Sequence, residues 1–487
     1  MNFEELFEGI DYRFADGYAK DVLSITLTDV ITAPEQDAAH SLYVATRSVL
    51  TDGAHGMRAA YDNGCRLFLC EWLPDLPRDA VVLLCADTMR VLGTLASRVY
   101  GYPERTLTVA CVTGSAGKSS VVMMTAQLML REGYRVAAVT TDGVWRGDKL
   151  TRADAIVADA ASLRRLLATL LREGFTHVIL ELSAYQLSEK IADGMDFTVT
   201  ALTNLFPNHL RFGEFGDERD YKEAKCQLLR AHAAYTLLPV GMELQTGGRV
   251  VFVGEGGDFA ARDVRDSFGG TGVPGKRFAL CTPLGECEVF VPNLAPFAVQ
   301  NALFAAAIAQ ALGVDGKALS HLAHTTAWGR MECVFSDGER HVYVDSAYEG
   351  ADIARTLDLL APLATGRLCV LVGSVGNRAR ARRADIGRAI AAHADFAYLT
   401  TDDPDGEDPV SICEEIRAAM PIGAVERTAV IADRERAIER AVRELRRGDV
   451  LLIVGKGNDT TQLVRGVRVP LCEREIVRKA LRGAHLY

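Results

Sequence analysis

The sequence predicts an α/β protein with about three domains and mostly parallel sheets. Its 487 residues are enough for about three domains, at roughly 100 to 200 residues each. Short apolar, strand-like runs alternate with amphipathic segments along most of the chain, a pattern typical of parallel strands covered by helices. Hydrophobic residues make up 49% and charged residues 24% of the chain, the balance of a soluble globular protein.

The overall charge and the apolar pattern argue against several classes of protein. A formal net charge of −10 makes a nucleic-acid backbone a poor main partner. The first residues lack the apolar core of a secretion signal, and no apolar run approaches the ~20 residues of a membrane helix. The 11 cysteines show no close zinc-site pairing, which favours reduced thiols. We expect a cytoplasmic, monomeric protein without a nucleic-acid or membrane partner.

Three blocks of elements follow one another along the chain. In residues 1–103 the predicted strands are SLYVA, RLFLCEW and AVVLLCA, and Gly101-Tyr102-Pro103 is a plausible boundary. In residues 104–325 the strands LTVACVTG, RVAAVTT, HVILELSA and TVTALTNL alternate with helical segments. In residues 326–487 the strands HVYVDSA, RLCVLVGS, FAYLTTDD and VLLIVGKG do the same, which predicts a doubly wound, Rossmann-like domain.

The strongest motif is VTGSAGKSS, which lies between a predicted strand and a predicted helix. Its glycines allow the backbone N–H groups to face phosphate oxygens. Lys118 supplies a mobile charge for the β- and γ-phosphates, and the Ser119 hydroxyl suits Mg²⁺. The second block is therefore predicted to be a P-loop ATPase domain. Its predicted nucleotide-binding residues are Thr113, Gly114, Ser115, Ala116, Gly117, Lys118, Ser119 and Ser120.

Three further polar residues of the second block are candidates for the same site. Glu181 ends the strand HVILELSA, where open α/β sheets place their ligands, and its carboxylate suits Mg²⁺. His209 follows another predicted strand, although a lone His is more often structural. Lys225 lies one helical turn after Tyr221, and an ordinary surface lysine remains an alternative for it.

The third block contains polar residues at its predicted strand ends. Arg330 offers a planar fork for a phosphate or carboxylate, and Asp345 could accept from a ribose hydroxyl. A glycine turn precedes four arginines. This arrangement favours anion recognition at least as strongly as an ordinary solvated basic face. The arginines are Arg378, Arg380, Arg382 and Arg383. The carboxylates of TTDDPDGEDP could hold an amine or could simply begin a helix.

The order and spacing of these motifs resemble the Mur ligase family along nearly the whole chain. The branch that forms a tripeptide on UDP-N-acetylmuramoyl-dipeptide is the most similar. The matching segments run from Thr113 to Ser119, Glu181 to Ser183, Thr203 to Leu205, His209-Leu210, Tyr221 to Leu228, Phe297 to Ala302, Gly329 to Glu332 and Val344-Asp345. The N-terminal block resembles the family's UDP-binding domain, and the C-terminal block its amino-acid-binding domain.

The resemblance implies a role for each matching residue. Lys118 would grip the phosphates of ATP, and Lys225 matches a lysine that is carbamylated in this family. Asn301 would contact the adenine, and Arg330 and Asp345 would bring the third domain onto ATP. The implied magnesium ligands are Ser119, Glu181, His209 and Lys225. The candidate substrate contacts are Ser183, Arg378, Arg383, Asp402, Asp405 and Asp459.

The implied reaction is an ATP-dependent, ADP-forming amide synthesis. A carboxylate of UDP-N-acetylmuramoyl-L-alanyl-D-glutamate would attack the γ-phosphate, and a free amino acid would then displace phosphate from the acyl phosphate. The family's D-N-P-R motif reads Asp402-Asp403-Pro404-Asp405 in this chain. Its Arg recognises the distal carboxylate of diaminopimelate, whereas an Asp would repel that group. We therefore expect an amine-bearing substrate such as lysine or ornithine.

Two other interpretations stay open at this point. The first is a related ligase that acts on another carboxylate, as folate- and cyanophycin-type ligases do, although those relatives lack the UDP-binding domain. The second is a non-catalytic paralogue that binds nucleotide and precursor. It is suggested by Tyr348, Asn458 and Asp459, which depart from the family's V-D-Y-A-H and G-K-G-H-E motifs.

Overall fold

The structure is a computed structural model of the single chain. It describes residues 2–22, 26–35, 38–47, 52–147, 149–151, 157–206, 215, 217–270, 272–377 and 380–483.

The N-terminal region forms a five-stranded sheet flanked by helices. Its strand order is β1-β5-β4-β3-β2, with β1 antiparallel to β5 and the other pairs parallel. The strands are β1 (Arg13–Phe14), β2 (Asp29–Ile31), β3 (Ser41–Val44), β4 (Leu67–Cys70) and β5 (Val81–Leu84). The helices are α1 (Phe3–Phe7), α2 (Ala54–Asp62), α3 (Thr88–Val99) and α4 (Pro103–Thr106). Strands β3, β4 and β5 are buried throughout, because helices cover both faces of a parallel sheet.

The central region contains an eight-stranded sheet in the order β13-β12-β11-β6-β10-β7-β8-β9. The six strands from β13 to β7 are parallel, and β8 and β9 add antiparallel pairs at one edge. The strands are β6 (Thr108–Thr113), β7 (Val136–Thr140), β8 (Gly143–Arg146), β9 (Lys149–Thr151), β10 (His177–Glu181), β11 (Phe197–Leu202), β12 (Ala233–Pro239) and β13 (Arg249–Val253). The helices are α5 (Lys118–Arg131), α6 (Ala160–Arg172), α7 (Ala184–Ser188) and α8 (Glu218–Arg230).

A small three-stranded sheet and a long apolar helix follow. The sheet has the order β14-β15-β16 and consists of β14 (Ala260–Phe268), β15 (Pro274–Thr282) and β16 (Gly285–Val291). Helix α9 (Phe297–Ala311) is followed by a 3₁₀ segment at Gly316–His324.

The C-terminal region forms a six-stranded sheet in the order β17-β18-β22-β19-β20-β21. Strand β17 is antiparallel to β18, and all other neighbours are parallel. The strands are β17 (Glu332–Ser336), β18 (His341–Asp345), β19 (Leu368–Val372), β20 (Phe396–Leu399), β21 (Thr428–Val430) and β22 (Val450–Val454), and a hairpin is formed by β23 (Thr461–Val464) and β24 (Val467–Pro470). The helices are α10 (Gly350–Leu360), α11 (Arg380–His393), α12 (Pro409–Ala418), α13 (Ile422–Val425), α14 (Arg434–Arg443) and α15 (Glu473–Gly483), with a 3₁₀ turn at Ala361–Leu363.

The chain divides into two compact units. The first is Met1–Ala260, Thr282–Leu284 and Leu303–Ala318, and the second is Ala261–Cys281, Gly285–Ala302 and Leu319–Tyr487. The predicted boundary near Gly101 therefore lies inside the first unit, which holds both the five-stranded and the eight-stranded sheet. The division into three domains remains a prediction.

The predicted α/β fold class with mostly parallel sheets is confirmed. Every strand named from the sequence in the second and third blocks is found, at β6, β7, β10 and β11 and at β18, β19, β20 and β22. All 11 cysteines lie in described residues and are free thiols, as expected. None of the helices in the described part of the chain combines the length and apolarity needed to cross a bilayer.

Candidate active site

The carboxyl edge of the eight-stranded sheet brings the predicted phosphate loop beside two other strand ends. Strand β6 lies between β10 and β11, with Glu181 paired to Val112 and Leu202 paired to Thr113. Because parallel strands end at the same edge, residues 114–117, Glu181 and Thr203 all emerge together. The sequence predicted this convergence for the loop and Glu181.

Two glycines shape the phosphate loop. Gly114 has φ +151°, and a Cβ there would lie 2.0 Å from the Thr203 Oγ1 atom. Gly117 has φ +82° and immediately precedes helix α5, which begins at Lys118. A side chain at Gly114 would therefore clash, and the left-handed backbone at Gly117 favours glycine. The loop consequently leads straight into a helix N-terminus, where backbone N–H groups and the helix dipole favour a bound phosphate.

Residues Thr203 and Asn204 hold the loop from the neighbouring strand end. The Asn204 carbonyl accepts from the Ser115 N–H at 3.1 Å, and Asn204 Oδ1 accepts from the Ala116 N–H at 2.8 Å. The Ala116 carbonyl accepts from Thr203 Oγ1 at 2.6 Å and from Asn204 Nδ2 at 3.0 Å. These bonds fix the first half of the loop to the end of β11.

Two lysine ammonium groups converge on a single carbonyl of the loop. Lys118 Nζ donates to the Gly114 oxygen at 3.1 Å, and Lys225 Nζ donates to the same oxygen at 2.8 Å. Lys225 is 1% exposed on helix α8. Burial, together with the nearby charge of Lys118, lowers the pKa of Lys225 to about 7, although Glu181 acts in the opposite direction. Lys225 is therefore a buried residue beside the phosphate loop and not the surface lysine that the sequence left possible.

Two of the predicted magnesium ligands, Ser119 and Glu181, are oxygen donors in the described part of the chain, and they suit a magnesium ion that a nucleotide carries in. Glu181 is buried at the end of β10, and Ser119 is half-buried in the first turn of α5. Within the described ranges, no cluster of three or more His, Cys, Asp or Glu side chains could hold a metal ion. Mg²⁺ usually binds through one or two carboxylates, phosphates and water, so these residues suit that mode.

In the second unit, the predicted nucleotide residues occupy the start of the six-stranded sheet. Asp345 ends strand β18, and its carboxylate accepts from the Met331 N–H at 2.6 Å and from the Ala347 N–H at 2.8 Å. Burial raises the pKa of Asp345, and these two N–H bonds oppose that change. Arg330 donates to Ser346 Oγ. Asp345 thus fixes the backbone next to Arg330. The third predicted nucleotide residue, Asn301, is buried on helix α9.

An acidic cluster surrounds Lys456 at the carboxyl edge of the six-stranded sheet. Its Nζ lies 2.6 Å from Asp403, 3.3 Å from Asp459 and 3.4 Å from Asp402. Burial acts to lower the pKa of Lys456, but the three carboxylates outweigh it and the pKa is raised. One ammonium faces three carboxylates, so this edge carries excess negative charge.

Two other candidate substrate residues make internal contacts. Asp405 has φ +49°, and its carboxylate accepts from the Gly466 N–H at 2.8 Å and from Asn377 Nδ2 at 2.9 Å. Arg383 is 1% exposed and donates to Glu407 and Glu415, each at 2.8 Å. The buried Arg383 guanidinium therefore holds Glu407, which precedes α12, and Glu415 on α12. Asp405, by contrast, is only half-buried.

The remaining candidates are a helix cap and two residues without a described position. Ser183 caps helix α7: its hydroxyl accepts from the Gln186 N–H at 3.2 Å, and the Gln186 side chain accepts from the Ser183 N–H at 2.9 Å. His209 and Arg378 lie outside the described residues.

Comparison with known proteins decides the family. The profile of the Mur ligase middle domain matches residues 112–309, and that of the Mur ligase glutamate ligase domain matches residues 329–457. The UDP-N-acetylmuramoyl-L-alanyl-D-glutamate--2,6-diaminopimelate ligase of Rhizobium meliloti is 32% identical, over 95% of this chain and 96% of that protein. The chain belongs to the Mur ligase family.

Other relatives of this Mur ligase span almost its whole length. The enzyme of the same name from Corynebacterium glutamicum is 30% identical, over 99% of this chain and 97% of that protein. A solved structure of a UDP-N-acetylmuramoyl-L-alanyl-D-glutamate--2,6-diaminopimelate ligase has a TM-score of 0.68 at 23% identity, over 100% of this chain and 99% of that one. The MurF ligase of Thermotoga maritima in complex with ADP has a TM-score of 0.56 at 18% identity, over 96% and 99%. These structures share the fold.

Family membership confirms the predicted class of enzyme, since Mur ligases are ATP-dependent, ADP-forming ligases. The contacts that Thr203 and Asn204 make with the loop, and the bond that the Tyr221 hydroxyl donates to Ser115 Oγ, were not predicted from the sequence. The sequence did contain one indication of the contacts from Thr203 and Asn204. The letters T-N-L end a strand that was predicted to run parallel to the phosphate-loop strand, so these residues were expected at the same edge of the sheet.

Proposed function

We propose that this Mur ligase joins a diamino acid to UDP-N-acetylmuramoyl-L-alanyl-D-glutamate, with ATP as the energy source, in the synthesis of peptidoglycan precursors. The observation that carries the proposal is the convergence of the phosphate loop, Lys118, Lys225 and Glu181 at one edge of the central sheet. The printed names of the relatives from Rhizobium meliloti and Corynebacterium glutamicum support the acceptor and the diamino acid. Because ATP is consumed, we place the reaction in the cytoplasm.

Each predicted domain has one part in this proposal. Residues 1–103 bind the UDP-linked precursor, residues 104–325 bind ATP, and residues 326–487 bind the amino acid. The similarity to the relatives from Rhizobium meliloti and Corynebacterium glutamicum covers 95% and 99% of this chain, so it includes residues of the N-terminal block. This coverage supports a role of that block in binding the UDP-linked precursor named for those relatives.

The chain's own residues account for the binding of the nucleotide. Lys118 leaves the Gly114 carbonyl for the γ-phosphate, and the N–H groups at the start of α5 hold the other phosphate oxygens. Magnesium, held by Ser119 and Glu181 with His209 as a further candidate, would neutralise the negative charge of the phosphates. For Asn301, Arg330 and Asp345 a role in nucleotide binding is proposed from the resemblance to the family alone.

Two chemical steps then form the amide. An oxygen of the acceptor carboxylate attacks the γ-phosphorus, and the bond between that phosphorus and ADP breaks, which leaves an acyl phosphate. The amine of the amino acid attacks the acyl carbon, loses a proton, and displaces inorganic phosphate. Exclusion of water protects the acyl phosphate from hydrolysis.

Lys225 is proposed to carry a carbamate, as its counterpart does in this family. Only the neutral amine reacts with carbon dioxide, and a pKa of about 7 leaves a substantial neutral fraction at physiological pH. The carbamate would place a carboxylate-like group beside Lys118 and the Gly114 carbonyl.

The amino-acid pocket is proposed to prefer a side-chain amine over a distal carboxylate. Asp405 replaces the arginine of the family motif, and the hydrogen bonds that its carboxylate accepts from described residues come from neutral donors and not from a cation. The neighbouring cluster of Asp402, Asp403 and Asp459 adds further negative charge. A second carboxylate on the substrate would be repelled, and an ammonium attracted.

The first experiment measures phosphate release from ATP with the UDP-linked dipeptide and each amino acid in turn. Release that needs the acceptor and one diamino acid supports the proposal. We expect lysine or ornithine to be used at least about 10-fold more efficiently than diaminopimelate, since an unfavourable charge contact costs about 1.4 kcal/mol or more. Equal efficiency would reject the role of Asp405. Tight ATP binding without release would favour the non-catalytic paralogue.

A further inference from the structure

The Ser115 hydroxyl in the phosphate loop has all of its hydrogen-bonding capacity filled. It donates to the Phe206 carbonyl at 2.8 Å and accepts from the Phe206 N–H at 3.1 Å. It also accepts from the Tyr221 hydroxyl at 3.0 Å. A serine hydroxyl offers one donor and two acceptor sites, so these three bonds complete it. The Ser115 hydroxyl therefore connects the phosphate loop to the segment that follows β11 and to helix α8.

The ring of Tyr221 supports Lys225 on the same helix. Lys225 Nζ lies 4.6 Å from the centroid of the Tyr221 ring, while it donates to the Gly114 carbonyl. Tyr221 is 1% exposed and packs in a cluster with Ala184, Leu205 and Phe215. The edge contact with Phe215 has a centroid distance of 5.6 Å and an interplanar angle of 81°. The ring is thus fixed from several sides.

We propose that Tyr221 is a positioning residue that ties Lys225 to the phosphate loop. Its hydroxyl donates a hydrogen bond to Ser115 in the loop, and its ring lies against the Lys225 ammonium. These two contacts fix the position of helix α8 relative to the loop. The inference rests on the proposed function only in that Lys225 acts at the phosphate site. Loss of the hydroxyl removes the side-chain bond between α8 and Ser115, while the Phe206 bonds to Ser115 remain.

Four variants separate this role from a general effect on folding. Tyr221→Phe removes the hydroxyl and keeps the ring, and Ser115→Ala removes the junction atom. Ser115→Thr keeps the Oγ that accepts from the Tyr221 hydroxyl, and it is used only in the methylation measurement. Tyr398→Phe is the matched control, because Tyr398 is also 1% exposed and its hydroxyl donates to Glu444 at 2.7 Å in the C-terminal sheet.

The main measurement is the rate of reductive methylation of the unmodified Lys225 amine by formaldehyde and cyanoborohydride. The reaction is run without nucleotide in buffer free of bicarbonate, so that no carbamate blocks the amine, and it is mapped by peptide mass spectrometry. The exposed Lys222 on the same helix serves as the internal reference. We expect Lys225 to react about 5- to 10-fold faster in Tyr221→Phe and Ser115→Ala, the effect of one lost hydrogen bond, and at the wild-type rate in Ser115→Thr and Tyr398→Phe. Equal Lys225 rates in all five proteins would overturn the proposal.

Steady-state kinetics give a second, independent readout. The Tyr221→Phe change leaves the loop N–H groups that bind ATP in place, so we expect the KM for ATP to stay within about 2-fold of the wild type. We expect kcat to fall about 5- to 10-fold, because Lys225 is less well positioned. A change confined to KM would contradict positioning of Lys225. If the wild type shows no turnover, the proposed function fails, but the methylation rates still decide the role of Tyr221.

Discussion

At the scale of a single residue, the surroundings of Lys225 change the chemistry of its amine. It is buried, donates to the Gly114 carbonyl and lies close enough to Lys118 for that charge to lower its pKa. We expect Lys225→Met, which keeps an unbranched side chain one atom shorter and removes the amine, to reduce phosphate release by about 100-fold, the usual cost of losing one electrostatic group at a reacting phosphate. Lys222→Met is the control, because Lys222 forms an exposed pair with Glu218.

The same residue is expected to carry a mass signature. The intact protein in bicarbonate buffer should be heavier by one carbon dioxide, and the addition should disappear in Lys225→Met but not in Lys222→Met. Activity of Lys225→Met within a few-fold of the wild type would remove Lys225 from the site.

At the scale of one element, Ser183 caps helix α7 through a capping box with Gln186. We expect Ser183→Ala to lower the free energy of unfolding by about 1 kcal/mol, the usual cost of a lost cap, and to leave the KM for the acceptor unchanged. Asp433→Ala removes a comparable cap from helix α14 and serves as the reference in chemical denaturation. A higher KM in Ser183→Ala alone would instead support the predicted contact with substrate.

A second element-scale feature is the ion pair that connects helix α11 to the turn before helix α12. The Arg383 guanidinium, together with the Asn377 N–H, lowers the pKa of Glu407 to about 2 from its ordinary 4.5. A depressed carboxyl pKa contributes stability above pH 4.5 that is lost as the pH falls towards 2. The melting temperature of Glu407→Gln should therefore lie several degrees below that of the wild type at pH 7, and the gap should narrow below about pH 4.5 and close only towards pH 2.

The control for this pH dependence is Glu414→Gln, because Glu414 pairs with Arg417 on the exposed face of α12. Exposed pairs contribute little, so its melting temperature should follow the wild type at every pH. A gap for Glu407→Gln that is independent of pH would argue against the ion pair as its cause.

At the scale of the whole molecule, Arg165 on helix α6 joins the five-stranded sheet to the central sheet within the first unit. Its guanidinium lies 2.7 Å from Glu35 and 2.9 Å from Asp29, and Arg165 Nε donates to the Tyr100 hydroxyl at 3.0 Å. These groups all belong to the N-terminal block. We expect Arg165→Met to loosen that block and to increase hydrogen exchange in β2 and α3 several-fold, while β6 and β10 stay protected.

Arg172→Met on the same helix is the control, because Arg172 is exposed and its bonds go to Ala168 and Thr169 of its own helix. Uniformly faster exchange in all strands would mean that Arg165 stabilises the whole unit and not the contact between the two sheets.

The sequence by itself determined the α/β class, the strands of the second and third blocks and the phosphate loop. Periodic apolar runs and glycine spacing depend only on residues close together in the chain, so they can be recognised without a structure. The position of Glu181 beside the loop also followed, because parallel strands end at a common edge.

Only the tertiary structure decided which polar side chains are buried in internal contacts and which remain partly exposed. Arg383 and Asp405 read alike as substrate contacts in the sequence, but Arg383 is buried in an ion pair and Asp405 lies half-buried at a turn. The bond between Tyr221 and Ser115 spans 106 residues, and that between Asn204 and Ala116 spans 88. A hydroxyl or amide has many possible partners along a chain, and only the folded backbone selects one of them.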